Sequence, residues 1–286
     1  MNTNVDHVLL TRFNLPSKGP ESYIRARDGW LSERVALFER YCLPSVEAQT
    51  SSNFHWIVYF DPESPQWLRD RILLWSSEGT ITAIFREEVP HAELISDIRA
   101  VTGARHRQLL STNLDNDDGL SVDFVERLQQ VHPADTRSAI YLTRGLIKKG
   151  GRLYSRTDRN NAFCSVREDW GSVVTCWADW HNLLSHQMPV LEIGGDAAWL
   201  QVIHDLNVSN RVRGRRIAPE RIARSFGRML DDVSKPSVIE MVAENLWYLP
   251  KRTIREVGRS TVKNMAMQVV GKDGVDRIKN HLQKVH

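Results

Sequence analysis

The sequence predicts an α/β fold, in which helices flank a mostly parallel sheet and a helical, basic part follows at the C-terminal end. Over about the first 130 residues, short apolar runs typical of buried strands alternate with segments whose apolar residues recur at helical spacing. Further along, the strand-like runs shorten and follow one another directly, which is typical of hairpins. After Pro219 the helical spacing returns, now with many arginines and lysines. The alternation of strands and helices favours a parallel sheet covered on both faces.

Length and composition are those of an ordinary globular protein. The chain has 286 residues, of which 41% are hydrophobic and 26% charged, enough for one large α/β domain with a C-terminal appendage. No apolar stretch is long enough to span a bilayer, and the polar residues 1–7 lack the apolar core of a signal peptide. Three scattered cysteines, Cys42, Cys164 and Cys176, show neither a disulfide framework nor metal-ligand spacing. We therefore expect buried thiols and a reducing, cytoplasmic location.

The first half of the chain predicts strands that alternate with helices. Apolar runs predict strands at residues 6–11, 55–60 and 81–85, and a fourth strand is expected at residues 107–112, just before an acidic cluster. Helical spacing of apolar residues predicts helices at residues 31–42, 67–75, 92–101 and 121–130. Pro44 is expected to end or kink the first helix, because proline has no N–H to donate and its ring clashes with the preceding turn.

The second half predicts shorter strands and then helix. The runs at residues 139–143 and 152–155 flank Gly150 and Gly151 and predict a hairpin or meander. Further strands are expected at residues 172–177, 190–193 and 199–204. We place a boundary near Arg215, between a core at residues 1–215 and a helical, basic region at residues 216–286.

Three carboxylates directly follow the fourth predicted strand. Asp115, Asp117 and Asp118 lie within four residues, at the carboxyl end of a strand, where open α/β sheets bind ligands. Like charges this close repel one another, and Mg²⁺ or Mn²⁺ would offset the repulsion while binding substrate phosphates. An EF-hand loop is excluded because Leu120 stands where that loop needs glycine. The alternative is an acidic N-cap on the helix expected from Ser121.

The sequence around these carboxylates resembles the Asp-x-Asp region of GT-A glycosyltransferases and, more narrowly, a bacterial family of rhamnosyltransferases. The matching segments cover most of the chain to about Arg216, and they are residues 11–14, 41–46, 54–56, 112–118, 199–204 and 207–211. Asn113 departs from the family, where a basic residue is expected. The resemblance implies a GT-A-like sheet and a nucleotide-sugar donor whose diphosphate is held through a metal on Asp115 and Asp117. It also implies an acceptor in a bacterial glycan or a lipid-linked precursor.

Two residues at strand ends are candidates for donor binding. Arg12 follows the first strand, where a guanidinium can reach the phosphate or base of a nucleotide. The alternative is a surface arginine paired with a carboxylate. Asp61 ends the second strand, and the resemblance implies a contact with the nucleobase or ribose. Asp61 followed by Pro62 is equally a turn signal.

A late group of polar residues extends the candidate site. His204 ends a predicted strand, and GT-A enzymes often take a further metal ligand from such a position, so the resemblance implies that role. A structural histidine is the alternative. Asn207, Asn210 and Arg211 follow within reach of phosphate oxygens, and the resemblance implies donor binding there too.

Two carboxylates are candidates for the general base. Inverting sugar transfer needs a carboxylate to take the proton of the acceptor hydroxyl. Asp179 is the first candidate, because Trp177 and Trp180 flank it and can stack on sugar faces. It is also suited to cap a helix, which is the alternative. Asp196 is the second candidate.

Basic residues concentrate late in the chain. Residues 207–228 hold seven arginines against Glu220 alone, and residues 251–286 hold nine lysines and arginines. Such segments attract phosphates, anionic lipid or nucleic acid, or merely face water. No nucleic-acid-binding motif is recognisable, so we expect no nucleic-acid partner. Residues 252–270 can form a basic amphipathic helix, which predicts either a peripheral contact with the inner face of the membrane or ordinary packing. The alternative functions are another metal-dependent phosphoryl- or nucleotidyl-transfer enzyme, or a nucleic-acid-binding protein that uses the arginine-rich segment.

Overall fold

The structure is a computed structural model that describes residues 5–16, 29–77, 79–204 and 211–248. These residues contain twelve strands: β1 (Val5–Arg12), β2 (His55–Phe60), β3 (Thr82–Phe85), β4 (Gln108–Asn113), β5 (Gly119–Leu120), β6 (Arg137–Leu142), β7 (Arg144–Lys149), β8 (Arg152–Thr157), β9 (Ser165–Asp169), β10 (Val190–Ile193), β11 (Trp199–Ile203) and β12 (Arg215–Arg216). The helices are α1 (Trp30–Leu37), α2 (Leu43–Glu47), α3 (Gln66–Ser77), α4 (His91–Thr102), α5 (Phe124–Gln129), α6 (Ala223–Phe226) and α7 (Val238–Ala243).

A seven-stranded sheet forms the main core, in the order β10-β6-β9-β4-β1-β2-β3. Strands β3, β2, β1 and β4 are parallel neighbours, and β9 is antiparallel to both β4 and β6. Successive side chains of β1 point to opposite faces, so Leu9 packs in one apolar cluster and Val8 and Leu10 in another. A strand buried on both faces needs the continuous apolar run seen in the sequence. The predicted α/β fold with a mostly parallel sheet is confirmed.

The helix expected to end or kink at Pro44 runs on through a π-helical turn. This turn, Phe38–Cys42, joins α1 to α2, and the N–H of Leu43 donates to the carbonyl of Phe38. A π turn shifts hydrogen bonds by one residue, so the missing N–H of Pro44 near the start of α2 is tolerated. The same turn directs Tyr41 and Cys42 into the interior, where both are buried.

A second sheet has five strands, in the order β12-β8-β7-β11-β5. Three predictions made from the sequence are wrong in this sheet and in the loops near it. The hairpin around Gly150 joins β8 to β7, whereas β6 stays in the main sheet and the chain changes sheets at Thr143. No strand forms in the stretch expected at residues 172–177, which is a 3₁₀ turn followed by irregular backbone. The helix expected from Ser121 begins at Phe124, because the N–H groups of Ser121 and Val122 donate instead to the carbonyls of Ala198 and Ser225.

The chain after Arg215 packs on the second sheet. Phe226, Met229 and Leu230 are buried against Leu146 and Leu153 of β7 and β8. The helix predicted after Pro219 is short, since α6 gives way to a 3₁₀ turn at Gly227–Leu230. The division at residues 215 and 216 stays a prediction, and residues 249–286 lie outside the described part of the chain.

All three cysteines are free and buried, as expected. Burial raises the pKa of each thiol, and that of Cys176 rises to about 12. Across the described residues, no helix combines the length and apolar character that a membrane span requires.

Gly145 of β7 is expected to tolerate no side chain. A Cβ there would lie 2.0 Å from Cδ2 of Trp199, a buried indole that stacks on Phe163 and donates to the Leu142 carbonyl. Gly145→Ala should therefore lower the free energy of unfolding by about 1–3 kcal/mol or more, measured by urea denaturation. Gly171→Ala is the control, because an added Cβ there meets no atom within 4 Å. Equal urea midpoints for the two variants would contradict the prediction.

Candidate active site

The acidic loop, residues 115–118, is fastened to the carboxyl end of β1. Leu114 donates its N–H to the Leu10 carbonyl at 3.0 Å, and its own carbonyl accepts from Thr11 Oγ1 at 2.8 Å. Within the loop, Asn116 Nδ2 donates to the carbonyls of Arg12 at 3.1 Å and Phe13 at 2.6 Å. Neighbouring parallel strands end at the same edge of a sheet, so the loop and Arg12 share the edge where ligands are expected.

Asp117 is the buried centre of the loop. Its Oδ2 accepts a hydrogen bond from His204 Nε2 at 2.8 Å and lies 3.0 Å from Arg34 Nη1. Burial raises the pKa of Asp117, but the His204 hydrogen bond and the Arg34 charge outweigh it and lower the pKa overall. The structure thus brings together two of the predicted metal ligands, Asp117 and His204, from separate sheets.

The other two carboxylates face different surroundings. Asp118 is buried, and its Oδ1 accepts the N–H of Val202 on β11 at 2.8 Å. Burial and the Asp117 and Asp115 charges raise the pKa of Asp118 well above its usual range. Asp115 is exposed and accepts from Asn113 Nδ2 at 3.3 Å. Desolvation by the surrounding protein and the Asp117 charge raise the pKa of Asp115.

Helix capping does not account for this cluster. Helix α5 begins at Phe124 with Asp123 in the N-cap position, so none of the three loop carboxylates caps it. Gly119 follows the loop as the first residue of β5. An added Cβ at Gly119 would lie 2.5 Å from Met229 Sδ, so the position requires a small residue to make room for Met229.

The donor chemistry of the loop fits a hard divalent cation that is shared with a phosphate ligand. Among the described residues, no three His, Cys, Asp or Glu side chains converge to enclose a metal ion. The loop offers the carboxylates of Asp115 and Asp117 beside the His204 imidazole. Mg²⁺ is commonly held by one or two carboxylates and completes its shell with water and substrate phosphates, and Mn²⁺ suits the same oxygen ligands. The residues present therefore fit such an ion without forming a complete protein cage.

Arg12 lies beside the loop on an aromatic surface. Its guanidinium carbon is 3.9 Å from the ring centroid of Trp177, and the Trp177 Nε1–H donates to Asn113 Oδ1 at 2.7 Å. Asn113 also donates to the carbonyl of Ala162 at 2.9 Å. The residue that departs from the family pattern thus links the end of β4 to Trp177 and Asp115.

A strained backbone segment positions Trp177. The buried carboxylate of Glu168 accepts the consecutive N–H groups of Val174 and Thr175, at 3.0 and 2.8 Å. Thr175 has a φ of +68°, which is costly for a β-branched residue. Because these two N–H groups are bonded to Glu168, they cannot pair with a neighbouring strand, and this explains why no strand forms here. Glu168 could not be recognised from the sequence, because no motif around this strand residue indicates that it binds the backbone of residues 174 and 175.

The two candidate bases occupy different loops. Asp179 caps no helix, so the alternative role given to it above is wrong. It lies in a bend of the chain, where its carboxylate accepts from the N–H of Trp180 at 2.7 Å and from Gln187 Nε2 at 2.9 Å. Trp177, two residues before Asp179, donates to Asn113, which in turn donates to Asp115, so this segment borders the acidic loop. Asp196 lies on an exposed loop between β10 and β11.

The remaining candidates are more peripheral. Asp61 closes a turn after β2, where its Oδ1 accepts the N–H of Glu63 at 2.8 Å, as the turn signal indicated. Arg211 is exposed between β11 and β12. Within the described ranges, neither Arg211 nor Asp196 is bonded to the acidic loop. Asn207 and Asn210 lie outside the described residues.

Comparison with known proteins gives one family and a set of similar folds. TarS residues 1–349 from S. aureus, in complex with UDP-GlcNAc, is 9% identical; the match covers 76% of this chain and 63% of that chain, with a TM-score of 0.41. The inositol-1-phosphate CTP transferase from T. maritima is also 9% identical, with 81% of this chain and 98% of that chain covered and a TM-score of 0.36. At these identities and TM-scores the likeness says nothing about activity or substrate.

No curated protein matches the chain significantly. The family described as "Putative rhamnosyl transferase" matches residues 6–216, which include both sheets and the acidic loop. Because this match spans most of its length, the chain belongs to that rhamnosyltransferase family and is a glycosyltransferase.

Proposed function

We propose that the protein is a metal-dependent glycosyltransferase that moves a sugar from a nucleotide-sugar to a bacterial glycan or a lipid-linked acceptor. The observation that carries the proposal is the acidic loop at the carboxyl edge of the parallel sheet, where Asp117 meets His204 at 2.8 Å. Membership of the rhamnosyltransferase family supports sugar transfer as the reaction and rhamnose as the sugar.

We place the proposed cation on the carboxylates of Asp115 and Asp117. His204, also predicted as a ligand, donates to Asp117 through Nε2 and would orient that carboxylate. A bound Mg²⁺ or Mn²⁺ would supply neutralisation of the charge on the leaving nucleoside diphosphate. Exposure of Asp115 supports its direct access to the ion, whereas Asp117 is oriented from within the protein. Asp118 was also expected to be a ligand, and its bond to the Val202 N–H supports a different role, which is to tie the loop to β11.

Donor binding is assigned to residues around the loop. Arg12 can pair with a phosphate or the nucleobase while it remains on the Trp177 ring, since guanidinium groups bind planar partners through both edge and face. Asp61 lies at the end of the adjacent strand β2 and is assigned to the nucleobase or ribose. Arg211, with Asn207 and Asn210, is assigned to the phosphates on the basis of the family resemblance alone.

Asp179 is the proposed general base. The segment that carries it borders the acidic loop, and the exposed indole of Trp180 beside it offers a flat apolar face for an acceptor sugar. The carboxylate would take the proton from the acceptor hydroxyl as the bond to the donor sugar breaks. Asp196, on its exposed loop, is the second candidate.

A peripheral contact with an anionic membrane surface at the cytoplasmic face would suit a lipid-linked acceptor. The basic segment that suggested this contact lies beyond the described residues, but α7 and the turn after it add support. Val238, Ile239, Val242 and Leu246 recur on one side and are exposed, with Ile239 at 81%. The exposed Arg215 lies on β12, beside the π-helical turn Glu244–Tyr248, and Lys235 precedes α7. Apolar residues flanked by basic ones favour an anionic lipid surface.

Asp117→Asn should abolish the stabilisation that a nucleotide-sugar and Mn²⁺ together confer on thermal unfolding. Transfer should fall by at least about a hundredfold, because the cation loses its buried carboxylate. Asn keeps an oxygen for His204 but leaves the Arg34 charge uncompensated, so some stability is lost as well. Asp123→Asn is the control, because that acid is half-exposed at the start of α5. Undiminished Mn²⁺-dependent stabilisation of Asp117→Asn would refute the assignment.

Asp179→Asn should lower turnover by roughly two to four orders of magnitude while donor binding changes little. Asn can still accept the Trp180 N–H, so the bend should persist. Turnover is measured with the donor sugar selected by a nucleotide-sugar screen, and Asp196→Asn serves as the matched variant. Retained turnover in Asp179→Asn, with loss in Asp196→Asn, would transfer the role to Asp196.

Ile239→Asp combined with Val242→Asp should abolish co-sedimentation with phosphatidylglycerol vesicles, because two charges replace the exposed apolar side of α7. Binding of the unaltered protein should weaken as salt increases. Leu73→Asp is the control, since that residue is 67% exposed on α3. Vesicle binding that is unchanged by the double substitution would contradict the prediction.

A further inference from the structure

A single arginine from α1 contacts two residues of the acidic loop. Arg34 of α1 places one nitrogen, Nη1, 2.8 Å from Asn116 Oδ1 and 3.0 Å from Asp117 Oδ2. Only 16% of the Arg34 side chain and 9% of the Asp117 side chain are exposed, so the pair is shielded from solvent. At this burial the attraction is much stronger than that of a surface ion pair.

The positive charge of Arg34 lies beside Asp117, where the proposed cation would also bind. The guanidinium already neutralises the carboxylate that the proposed function gives to the metal. A divalent cation bound at the same carboxylate would meet this positive charge at short range, and like charges repel. Of the other two loop carboxylates, Asp118 is bonded to the Val202 N–H and Asp115 is exposed, so Asp117 is the carboxylate at which Arg34 and the ion would meet.

We propose that Arg34 is a positioning residue that orients Asp117 and competes with the divalent cation for it until a diphosphate binds. The inference rests on the proposed function. The diphosphate brings further negative charge that can bind both the cation and the guanidinium, and a guanidinium binds phosphate oxygens with two parallel hydrogen bonds. Cation and donor therefore bind cooperatively, and the cation alone binds weakly.

A purely mechanical role for Arg34 makes the opposite prediction. If the guanidinium only braced the loop between α1 and Asn116, its removal would disorder Asp117 and weaken cation binding. If it competes, its removal strengthens the binding of the cation alone. Mn²⁺ affinity in the absence of nucleotide therefore separates the two roles.

The experiment measures free Mn²⁺ by electron paramagnetic resonance as the full-length protein is added. Arg34→Gln keeps a donor for Asn116 but removes the charge, and it should bind Mn²⁺ on the order of tenfold more tightly than the unaltered protein. Arg34→Lys keeps the charge and should retain the original affinity. Arg40→Gln is the control, because Arg40 follows α1 but pairs with Asp232, and it too should leave the affinity unchanged.

Equal or weaker Mn²⁺ binding by Arg34→Gln overturns the proposal, as does the absence of Mn²⁺ binding in every variant. Should Arg34→Gln fail to fold, Arg34→Lys decides, since unchanged affinity supports competition and weakened affinity supports a brace. Tighter binding by Arg34→Gln, together with no transfer from any nucleotide-sugar, leaves the role of Arg34 standing and rejects the proposed function instead.

Discussion

The buried carboxylate of Asp117 joins three parts of the chain that are far apart in sequence. One oxygen receives Arg34 from α1 and His204 from the end of β11, while the preceding residues Leu114 and Asn116 are bonded to the end of β1 and the residue after it. An ionised group with so little exposure is stable only when positive or donating partners surround it. The need to satisfy this charge constrains where α1 and the second sheet can lie relative to the main sheet.

The second sheet contributes to satisfying that charge. Its strand β11 supplies the Val202 N–H to Asp118 and ends next to His204, so two loop residues are secured by one strand. The buried side chain of Met229 packs against Gly119, directly after the acidic loop. The chain beyond β12 therefore also covers the end of this loop. Family membership covers residues 6–216, but part of this contact lies further along the chain.

The segment around Thr175 stores strain on the other side of the site. Glu168 is fully buried, pairs with Arg137 at 2.8 Å, and accepts two backbone N–H groups. These bonds offset the cost of the left-handed backbone at Thr175 and set the Trp177 ring under Arg12. Strain that is held by buried bonds is found most often where a side chain must be placed for function.

Local sequence was sufficient for the parallel core and for the position of the acidic loop. Strands β1 and β2 are buried on both faces, and this burial demands the apolar runs by which they are recognised. The loop follows β4 in the chain, so its place at the carboxyl edge of the sheet is settled by connectivity. Candidate site residues at strand ends, such as Arg12 and His204, could be predicted from the sequence for the same reason.

Only the tertiary structure decided which groups neutralise the loop and how the backbone beside it runs. Nothing in the apolar spacing of α1 marks Arg34 as the partner of a carboxylate more than eighty residues away. The stretch predicted as a strand after β9 became irregular because Glu168 captured its amides, and Asp179 consequently lies in a bend. Periodicity reports which side chains face the core, whereas the pairing of buried charges depends on distances that exist only after the chain has folded.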